Sequence, residues 1–511
     1  MSIRQLAMVI AFVLAFLYLF VLQLQAVWPF TIDDMYISLR YARHWASGIG
    51  LLWNMGEPPV EGYSNFSFVL LARMALSLGL NPVIVLKSAG ALGLLFTCVA
   101  SYLISRFWFS ARIALIPCFW LLLYRGEILW TISGLETAVY QALICWVVLL
   151  IFKGLGYRAY PEPKGGVRRL PLIMAAVLCA VAGMTRPEAP ALMILFILLI
   201  AMNRPQPEKR DFWPNFIIFC ASLFICFAPY FLWRWHYYGR FFPNSVYCKG
   251  LSNHVYFGLD KHYLNLVWPF ILLAIPAIWR SKDRRHYFLW LPSVVYTVLL
   301  IGADTVVAFA NRLFLPAFAL LLPLSLLGLR GLIACYLRKK QDEVDALILY
   351  FAAFLLAFFF IPAMTLAEYR EFSRYPQAGE QLRHDVAVWL EANTPVTSHV
   401  VLADSGLVPY YSQRKFIDSY CLNNAEMTQD PSPLMYERFC KKILQTKPEI
   451  IILTLLIEQG EMIYTPADAC LAPLLKSGKD YQPLVSLSTK NKDSEYRYEI
   501  FGQKKPRLIN R

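Results

Sequence analysis

Two adjacent carboxylates, Asp33 and Asp34, follow directly on the first apolar block of the chain. A carboxylate within hydrogen-bonding distance of a hydroxyl can remove its proton, and two carboxylates this close tend to raise the pKa of one of them. The pair therefore fits a general base, with or without a metal ion beside it. The alternative is structural, because Asp33 as a helix N-cap and Asp34 in the first turn would favour the helix dipole.

A polar loop follows at 48–65, and its glycines and prolines exclude a regular helix there. A loop of this kind beside a membrane is expected to line a cavity or to lie on the surface. Glu61 and Tyr63 are candidate partners for the hydroxyl groups of a sugar. An ordinary exposed loop is the alternative interpretation.

Further polar groups stand at the ends of later apolar blocks. They are Glu136, Arg186, Glu188, Asn244, Lys249, Asp304 and Arg312. Taken singly, each is expected to form a structural ion pair or to extend its charged end toward water. Taken together, Arg186, Lys249 and Arg312 predict a cationic pocket that would hold a phosphate and stabilise it as a leaving group.

The elements that must position these groups are apolar. Of the 511 residues, 58 % are hydrophobic and 16 % are charged, whereas about a quarter are charged in a typical soluble protein. The apolar residues form blocks at 6–27, 83–104, 111–126, 133–153, 171–184, 189–202, 212–236, 264–280, 287–303, 312–330 and 346–366. This pattern predicts an α-helical polytopic membrane protein with about eleven spans, and an interfacial helix at 63–79.

The charge distribution predicts the orientation in the membrane. A net charge of +14 would suggest nucleic acid in a soluble protein. Here the basic residues cluster in short loops between apolar blocks, as cytoplasmic loops do, so no nucleic-acid partner is expected. The N-terminus is then cytoplasmic and the C-terminus lies outside. The loops 28–82, 237–263 and 304–311 face outward, where the candidate chemistry lies.

From residue 367 onward charged residues return and apolar runs shorten. Buried strands at 399–403 and 449–455 and a helix at 377–392 predict a soluble α/β domain. The chain thus divides into a transmembrane catalytic domain at 1–366, with its first outer loop at 28–82, and a periplasmic domain at 367–511. One disulfide among Cys421, Cys440 and Cys470 could form, but their spacing does not select a pair.

The order of these motifs resembles a known family. The segments Asp33-Asp34, Ser38-x-Arg40-Tyr41-Ala42, Gly48-x-Gly50, Asn54-x-Gly56-Glu57 and Val60-Glu61-Gly62-Tyr63-Ser64-Asn65 resemble the first outer loop of bacterial GT-C glycosyltransferases. Terminal arabinofuranosyltransferase-like proteins have the most similar pattern. The similarity continues through Gly134-Leu135-Glu136-Thr137, Thr185-Arg186-Pro187-Glu188, Pro243-Asn244-Ser245, Lys249, Arg312 and Pro316, and into the tail at 403–418.

This resemblance implies a helical bundle with an outward-facing cavity in the bacterial inner membrane. It implies a polyprenyl-phosphate-linked sugar as donor, a hexosyl or pentosyl group transferred, and an acidic base, here Asp33 or Asp34 with Asp33 favoured. The expected acceptor is an envelope glycan, with lipopolysaccharide preferred over other glycans and over protein. The expected substrate contacts are Arg40, Glu61, Tyr63, Glu136, Arg186, Glu188, Asn244, Lys249 and Arg312. Related enzymes often have Asp-Glu where this chain has Asp-Asp, so a divalent metal ion remains open.

Two other functions compete with the enzyme. A flippase or transporter for a lipid-linked sugar would need polar groups deep inside the spans. The apolar blocks of this chain are nearly free of charge, which favours the enzyme. The other competitor is a non-catalytic scaffold whose tail binds glycans. The Asp33-Asp34 pair and the basic residues argue against a scaffold.

Overall fold

A computed structural model describes residues 3–162, 165–203, 209–249, 258–279, 283–302, 309–429, 434–478, 480–491 and 494–504. The chain divides into two compact units. Unit 1 comprises Met1–Trp28, Lys87–Trp233 and Tyr256–Arg370, and unit 2 comprises Pro29–Leu86, Arg234–Val255 and Glu371–Arg511. The first loop and the tail, far apart in the sequence, therefore belong to one unit. The predicted boundary at residue 366 stays a prediction.

Helices dominate the chain up to the tail. Over the described residues the α-helices are α1 Ile3–Val27, α2 Asp34–Ala46, α3 Phe66–Ser77, α4 Pro82–Ser105, α5 Ile116–Leu123, α6 Arg125–Thr131, α7 Thr137–Gly154, α8 Arg169–Thr185, α9 Ala189–Met202, α10 Lys209–Tyr238, α11 Asn244–Lys249, α12 Gly258–Trp279, α13 Tyr287–Leu300, α14 Leu315–Tyr336, α15 Ala346–Phe360, α16 Leu366–Asn393, α17 Leu407–Ser412, α18 Met435–Gln445 and α19 Pro466–Ser477. Short 3-10 turns lie at Ile113–Leu115, Arg284–His286, Arg312–Phe314 and Gln341–Glu343. Each block predicted to span the membrane is helical over most of its length.

Five of the described helices are long and apolar enough to cross a membrane, and a sixth crossing results if one bent pair is a single span. Shorter apolar helices accompany them, α8, α9 and α15 among them. The chain is thus an α-helical polytopic membrane protein, while the count of eleven spans stays a prediction. The block at 111–126 was expected to be continuous. Its helix instead stops at Tyr124, which has extended backbone, and the two parts are bent by 69°.

Close helix packing in unit 1 depends on glycine. A Cβ atom at Gly328 of α14 would overlap the carbonyl of Leu273 in α12, and one at Gly90 of α4 would overlap the carbonyl of Thr131. Inside a membrane the hydrophobic effect does not drive helices together, because lipid tails are as apolar as the side chains. Small residues at the crossings instead let the helix backbones approach closely and pack.

Unit 2 contains a six-stranded sheet made by the tail. Its strands are β1 His399–Leu402, β2 Lys415–Asp418, β3 Ile450–Glu458, β4 Glu461–Tyr464, β5 Tyr481–Lys490 and β6 Ser494–Gln503. The order is β2-β1-β3-β6-β5, with β4 pairing β3 beyond the end of β1. Strands β1, β2 and β3 are parallel, and β4, β5 and β6 complete the sheet by antiparallel pairing. The α/β fold predicted for the tail is confirmed.

A disulfide joins Cys248 of α11 to Cys421, with 6.0 Å between their Cα atoms. Cys440 and Cys470 are free thiols. A disulfide was expected among Cys421, Cys440 and Cys470. Cys421 does form a disulfide, but the expected partner was wrong, because Cys421 pairs with Cys248. The reason is topological, because the segment around Cys248 belongs to the same unit as the tail.

Candidate active site

The carboxylate of Asp33 lies in unit 2, immediately before α2, and it does not cap that helix. Instead its Oδ2 accepts the backbone N–H of Gly406 at 3.0 Å, and its Oδ1 accepts that of Leu407 at 2.9 Å. These donors stand at the start of α17. Asp33 stands at the N-cap position of α2, as the structural alternative expected, but its side chain makes no capping hydrogen bond and is oriented by the tail instead.

Arg383 of α16 links Asp33 to a second carboxylate. Its Nε is 3.4 Å from Oδ1 of Asp33, and its Nη2 is 3.0 Å from Oδ2 of Asp404. The hydroxyls of Tyr496 and Tyr498 also donate to Asp404, at 2.6 and 2.5 Å. One guanidinium thus lies between two carboxylates, and the tail determines where it stands.

Burial raises the pKa of Asp33 to about 6. The Arg383 cation and the Leu407 N–H oppose this shift, while the charges of Asp404 and Asp34 add to it. An ionised base is available at neutral pH, and a pKa near the working pH is the favourable condition for proton transfer. The side chain of Asp33 keeps 15 % of its surface exposed, which leaves a path for a substrate hydroxyl.

Asp34 is the first residue of α2, and its side chain is half-buried. In the part of the chain that the structure describes, its carboxylate has no hydrogen bond and no ion pair. Its position in the first turn favours the dipole of α2. The two adjacent aspartates therefore differ, since one is held by three donors and the other is not.

No group of three or more His, Cys, Asp and Glu side chains that could hold a metal ion occurs among the described residues. Both oxygens of Asp33 already accept backbone N–H groups. The described residues do not fit a metal centre at this pair.

Arg40 was predicted to contact the substrate. In unit 2 it is buried, and its guanidinium hydrogen-bonds to several segments of the chain. Its guanidinium donates to the carbonyls of Trp53 and Arg414, both at 2.9 Å, and to that of Pro409. The side-chain oxygen of Asn54 accepts a fourth bond at 3.3 Å. Burial lowers the pKa of Arg40 to about 9. These bonds join α2 and the first loop to the tail.

Glu61 and Tyr63 are buried as well. Glu61 forms a two-pronged ion pair with Arg234, with N–O distances of 2.8 to 3.0 Å, and Tyr63 shares a 2.9 Å hydrogen bond with Tyr238. Burial raises the pKa of Glu61 to about 7, although Arg234 opposes the shift. Arg234 was missed from the sequence because it stands in a tryptophan-rich apolar segment.

Asn244 contacts protein rather than open space. Its Nδ2 donates to the carbonyls of Cys421 and Leu422, both at 2.9 Å, and its Oδ1 accepts from Arg240 and Thr428. The neighbouring Lys249 side chain and Asp304 lie outside the described residues. Asn244 therefore fixes α11 to the segment that contains Cys421.

In unit 1 the structure brings together four of the predicted residues. Arg186 donates to Glu136 at 2.8 Å and to both oxygens of Glu188 at 3.0 and 2.6 Å. Arg312 is 3.3 Å from Glu136, and its Nε donates to Thr137 at 3.2 Å. All four charged side chains are at least 88 % buried. Two cations face two carboxylates, so the cluster carries no surplus positive charge.

Part of the chain matches a protein-family model, and its fold is similar to solved structures. A model of a domain of unknown function, DUF8728, matches residues 367–501. A search of curated protein sequences found no match. Among solved structures, ArnT from Cupriavidus metallidurans bound to undecaprenyl phosphate is similar, with 14 % identity and a TM-score of 0.55 over 96 % of this chain and 98 % of that one.

Two further structures are similar. The oligosaccharyltransferase AglB from Archaeoglobus fulgidus, in complex with an inhibitory peptide and a dolichol-phosphate, has 11 % identity and a TM-score of 0.56, over 90 % of this chain and 76 % of that one. The arabinofuranosyltransferase AftD from Mycobacteria has 13 % identity and a TM-score of 0.51, over 98 % of this chain but only 42 % of AftD. All three are GT-C glycosyltransferases, and this chain has the GT-C fold.

Proposed function

Because the chain has the GT-C fold, we propose that it is a membrane glycosyltransferase that takes a sugar from a polyprenyl-phosphate donor and transfers it to an envelope glycan. Lipopolysaccharide is the preferred acceptor, and the reaction takes place on the periplasmic side of the inner membrane. ArnT, solved with undecaprenyl phosphate, and AglB, solved with a dolichol-phosphate, support the lipid-phosphate class of donor.

The observation that carries the proposal is the environment of Asp33. Its carboxylate is fixed by two backbone N–H groups and by Arg383, it remains partly exposed, and its pKa is raised to about 6. A purely structural carboxylate of this kind is usually more acidic than a free one, because its donors stabilise the anion. Here burial outweighs the donors, and the result is a group suited to accept a proton near neutral pH.

In the proposed reaction, Asp33 is the group that accepts the proton. The acceptor hydroxyl gives its proton to the Asp33 carboxylate while its oxygen forms a bond to the anomeric carbon of the donor. The bond from that carbon to the phosphate oxygen breaks, and the polyprenyl phosphate leaves with the electron pair. The transition state resembles an oxocarbenium ion, with positive charge developing on the sugar, as in other glycosyl transfers. Asp34 raises the proton affinity of Asp33 through its neighbouring charge.

In unit 1, Arg186 and Arg312 are proposed to bind a phosphate group. Both already pair with glutamates, so a phosphate must take over donors that now serve Glu136 or Glu188. Arginine suits this exchange because its planar group of N–H donors matches a phosphate and a carboxylate equally well.

The test is a mass-spectrometric comparison of envelope glycans in a deletion strain of the source bacterium. The strain is complemented with wild type, Asp33→Asn, Asp34→Asn or Glu437→Gln, the last being an exposed carboxylate of α18 that serves as a matched control. Immunoblotting of membranes verifies equal amounts of each protein. One sugar mass should disappear in the deletion strain, return with wild type and Glu437→Gln, and stay absent with Asp33→Asn.

Other outcomes favour the competing functions. If both aspartate variants restore the glycan fully, the pair is not catalytic and the proposed base is wrong. If purified wild-type protein in liposomes moves the lipid-linked sugar across the bilayer but transfers it to no acceptor, the chain is a flippase. If the deletion leaves every envelope glycan unchanged, the scaffold interpretation gains support.

A further inference from the structure

Unit 2 contains a polar pocket of about 620 Å³ between α16 and α17. Its wall on α16 is formed by Arg374, Gln377, Gln381 and His384. These positions are three or four residues apart and therefore share one face of the helix. Leu407 and Tyr411 of α17 form the opposite wall.

The chemistry of the lining suits a sugar. The two glutamine amides can each donate and accept hydrogen bonds, as the hydroxyl groups of a sugar require. Tyr411 is 37 % exposed, and its ring centroid lies 5.4 Å from that of His384 in an edge-on arrangement. An aromatic ring beside planar polar groups can stack on the C–H face of a sugar ring while the amides bind its hydroxyls.

The charge of the lining indicates which substrate would fit. Of the described residues that line the pocket, Arg374 is the one arginine or lysine, and Glu380 is the one carboxylate. Glu380 accepts the hydroxyl of Tyr36 at 2.8 Å. These two opposite charges balance, and the remaining lining is uncharged apart from His384. This balance suits an uncharged, hydroxyl-rich molecule.

The pocket adjoins the proposed base. Leu407, which lines it, is the residue whose backbone N–H donates to Asp33 at 2.9 Å. Tyr36, three residues after Asp33 on α2, hydrogen-bonds to the pocket residue Glu380, and its ring centroid lies 6.0 Å from that of Tyr411. A sugar bound here would lie beside the group that must remove its proton.

We propose that this pocket binds the acceptor sugar, a neutral hydroxyl-rich residue of a glycan, with Gln377 and Gln381 on its hydroxyls and Tyr411 on its ring face. The assignment of the bound sugar as an acceptor rests on the proposed transferase function. Binding of a glycan at the pocket does not depend on catalysis, and it can be measured separately.

The experiment measures binding to the full chain in lipid nanodiscs by calorimetry. The probe is the oligosaccharide released by mild acid from the lipopolysaccharide of the deletion strain. The variants are Gln377→Ala/Gln381→Ala and Tyr411→Ala, and the matched control is Tyr375→Ala, an exposed ring of α16 that does not line the pocket. Loss of two hydrogen bonds should weaken binding about thirty-fold in the double variant.

The outcomes separate the pocket from the reaction. Weaker binding by both pocket variants, with Tyr375→Ala equal to wild type, supports the assignment. Unchanged affinity in both pocket variants, or no binding by wild type at millimolar concentration, overturns it. If binding follows the pocket but the deletion strain loses no sugar, the proposed transferase fails while the glycan site stands.

Discussion

Asp33 and Leu407 are 374 residues apart in the chain, and the backbone N–H of Leu407 donates a 2.9 Å hydrogen bond to the Asp33 carboxylate. With Gly406, which donates to the other oxygen, Leu407 fixes the plane of the carboxylate. The tail therefore belongs to the proposed catalytic centre, because it determines both the orientation of the base and its proton affinity.

The first prediction concerns the pH dependence of transfer. The pKa of Asp33 is raised to about 6, so its basic form is lost as the pH falls through about 6, and kcat/KM should fall with it. Asp34 contributes to the raised pKa. Asp34→Asn should therefore keep activity at pH 8 and move the acidic limb of the pH profile to lower pH. An acidic limb that is the same in Asp34→Asn and wild type would contradict the assignment of the limb to Asp33.

Arg383→Met tests the opposite shift. The Arg383 cation lowers the pKa of Asp33, so its removal should raise that pKa and move the acidic limb to higher pH. Arg383→Lys keeps the charge and should restore much of the wild-type profile. Rates between pH 5 and 9 on equal amounts of folded protein provide the measurement. A uniform loss of activity at every pH in both variants would indicate a structural role alone.

Gly406→Ala tests the close approach of the tail to the base. A Cβ atom at Gly406 would overlap the backbone oxygen and the carboxylate of Asp33. We expect a large loss of transfer together with a lower Tm, because the loop before α17 must move away from Asp33. Gly331→Ala is the control, since its Cβ would meet only the end of the Gln341 side chain, at 3.3 Å. Equal activity of the two variants would show that the hydrogen bonds to Asp33 are dispensable.

The sequence predicts much of the fold because its signals are local. The block at 6–27 becomes helix α1, Ile3–Val27, and the strands at 399–403 and 449–455 become β1 and β3, since apolar runs of these lengths encode their elements directly. The break at Tyr124 was not predicted, because Pro117 of this apolar run stands at the start of α5 and not at the break.

The candidate site was predicted only in part, for a physical reason. Asp33 and Asp34 stand out as adjacent carboxylates next to an apolar block. Arg383 does not, because it occupies an ordinary polar position of an amphipathic helix and gains its role through contacts with Asp33 and Asp404. Pairings over several hundred residues leave no periodic signal, and for the same reason the contacts of Arg40 with Pro409 and Arg414 were not predicted.

The ion pairs of Arg186 in unit 1 give a prediction that distinguishes an effect on stability from an effect on the transfer rate. Arg186→Met leaves Glu188 without its arginine and should cost about 3–5 kcal/mol of stability, the usual effect of removing one partner of a buried ion pair. Adding Glu188→Gln should recover much of that loss. If Arg186 binds the phosphate, the double variant stays inactive although it is folded. The Tm in detergent and the transfer rate are measured together, and recovery of both would exclude Arg186 from the reaction.

Glu61→Gln should act on folding and leave sugar recognition unchanged. Glu61 is 4 % exposed, and both of its oxygens bind Arg234, so the substitution removes the carboxylate charge that pairs with this buried guanidinium. A stability loss of about 3–5 kcal/mol is expected. Tyr63→Phe removes the hydrogen bond to Tyr238 and should cost about 1 kcal/mol. Thermal unfolding in detergent compares the two, and the acceptor KM of the folded fraction should match wild type. A raised acceptor KM in Glu61→Gln with an unchanged Tm would instead return Glu61 to the substrate-binding role that its sequence suggested.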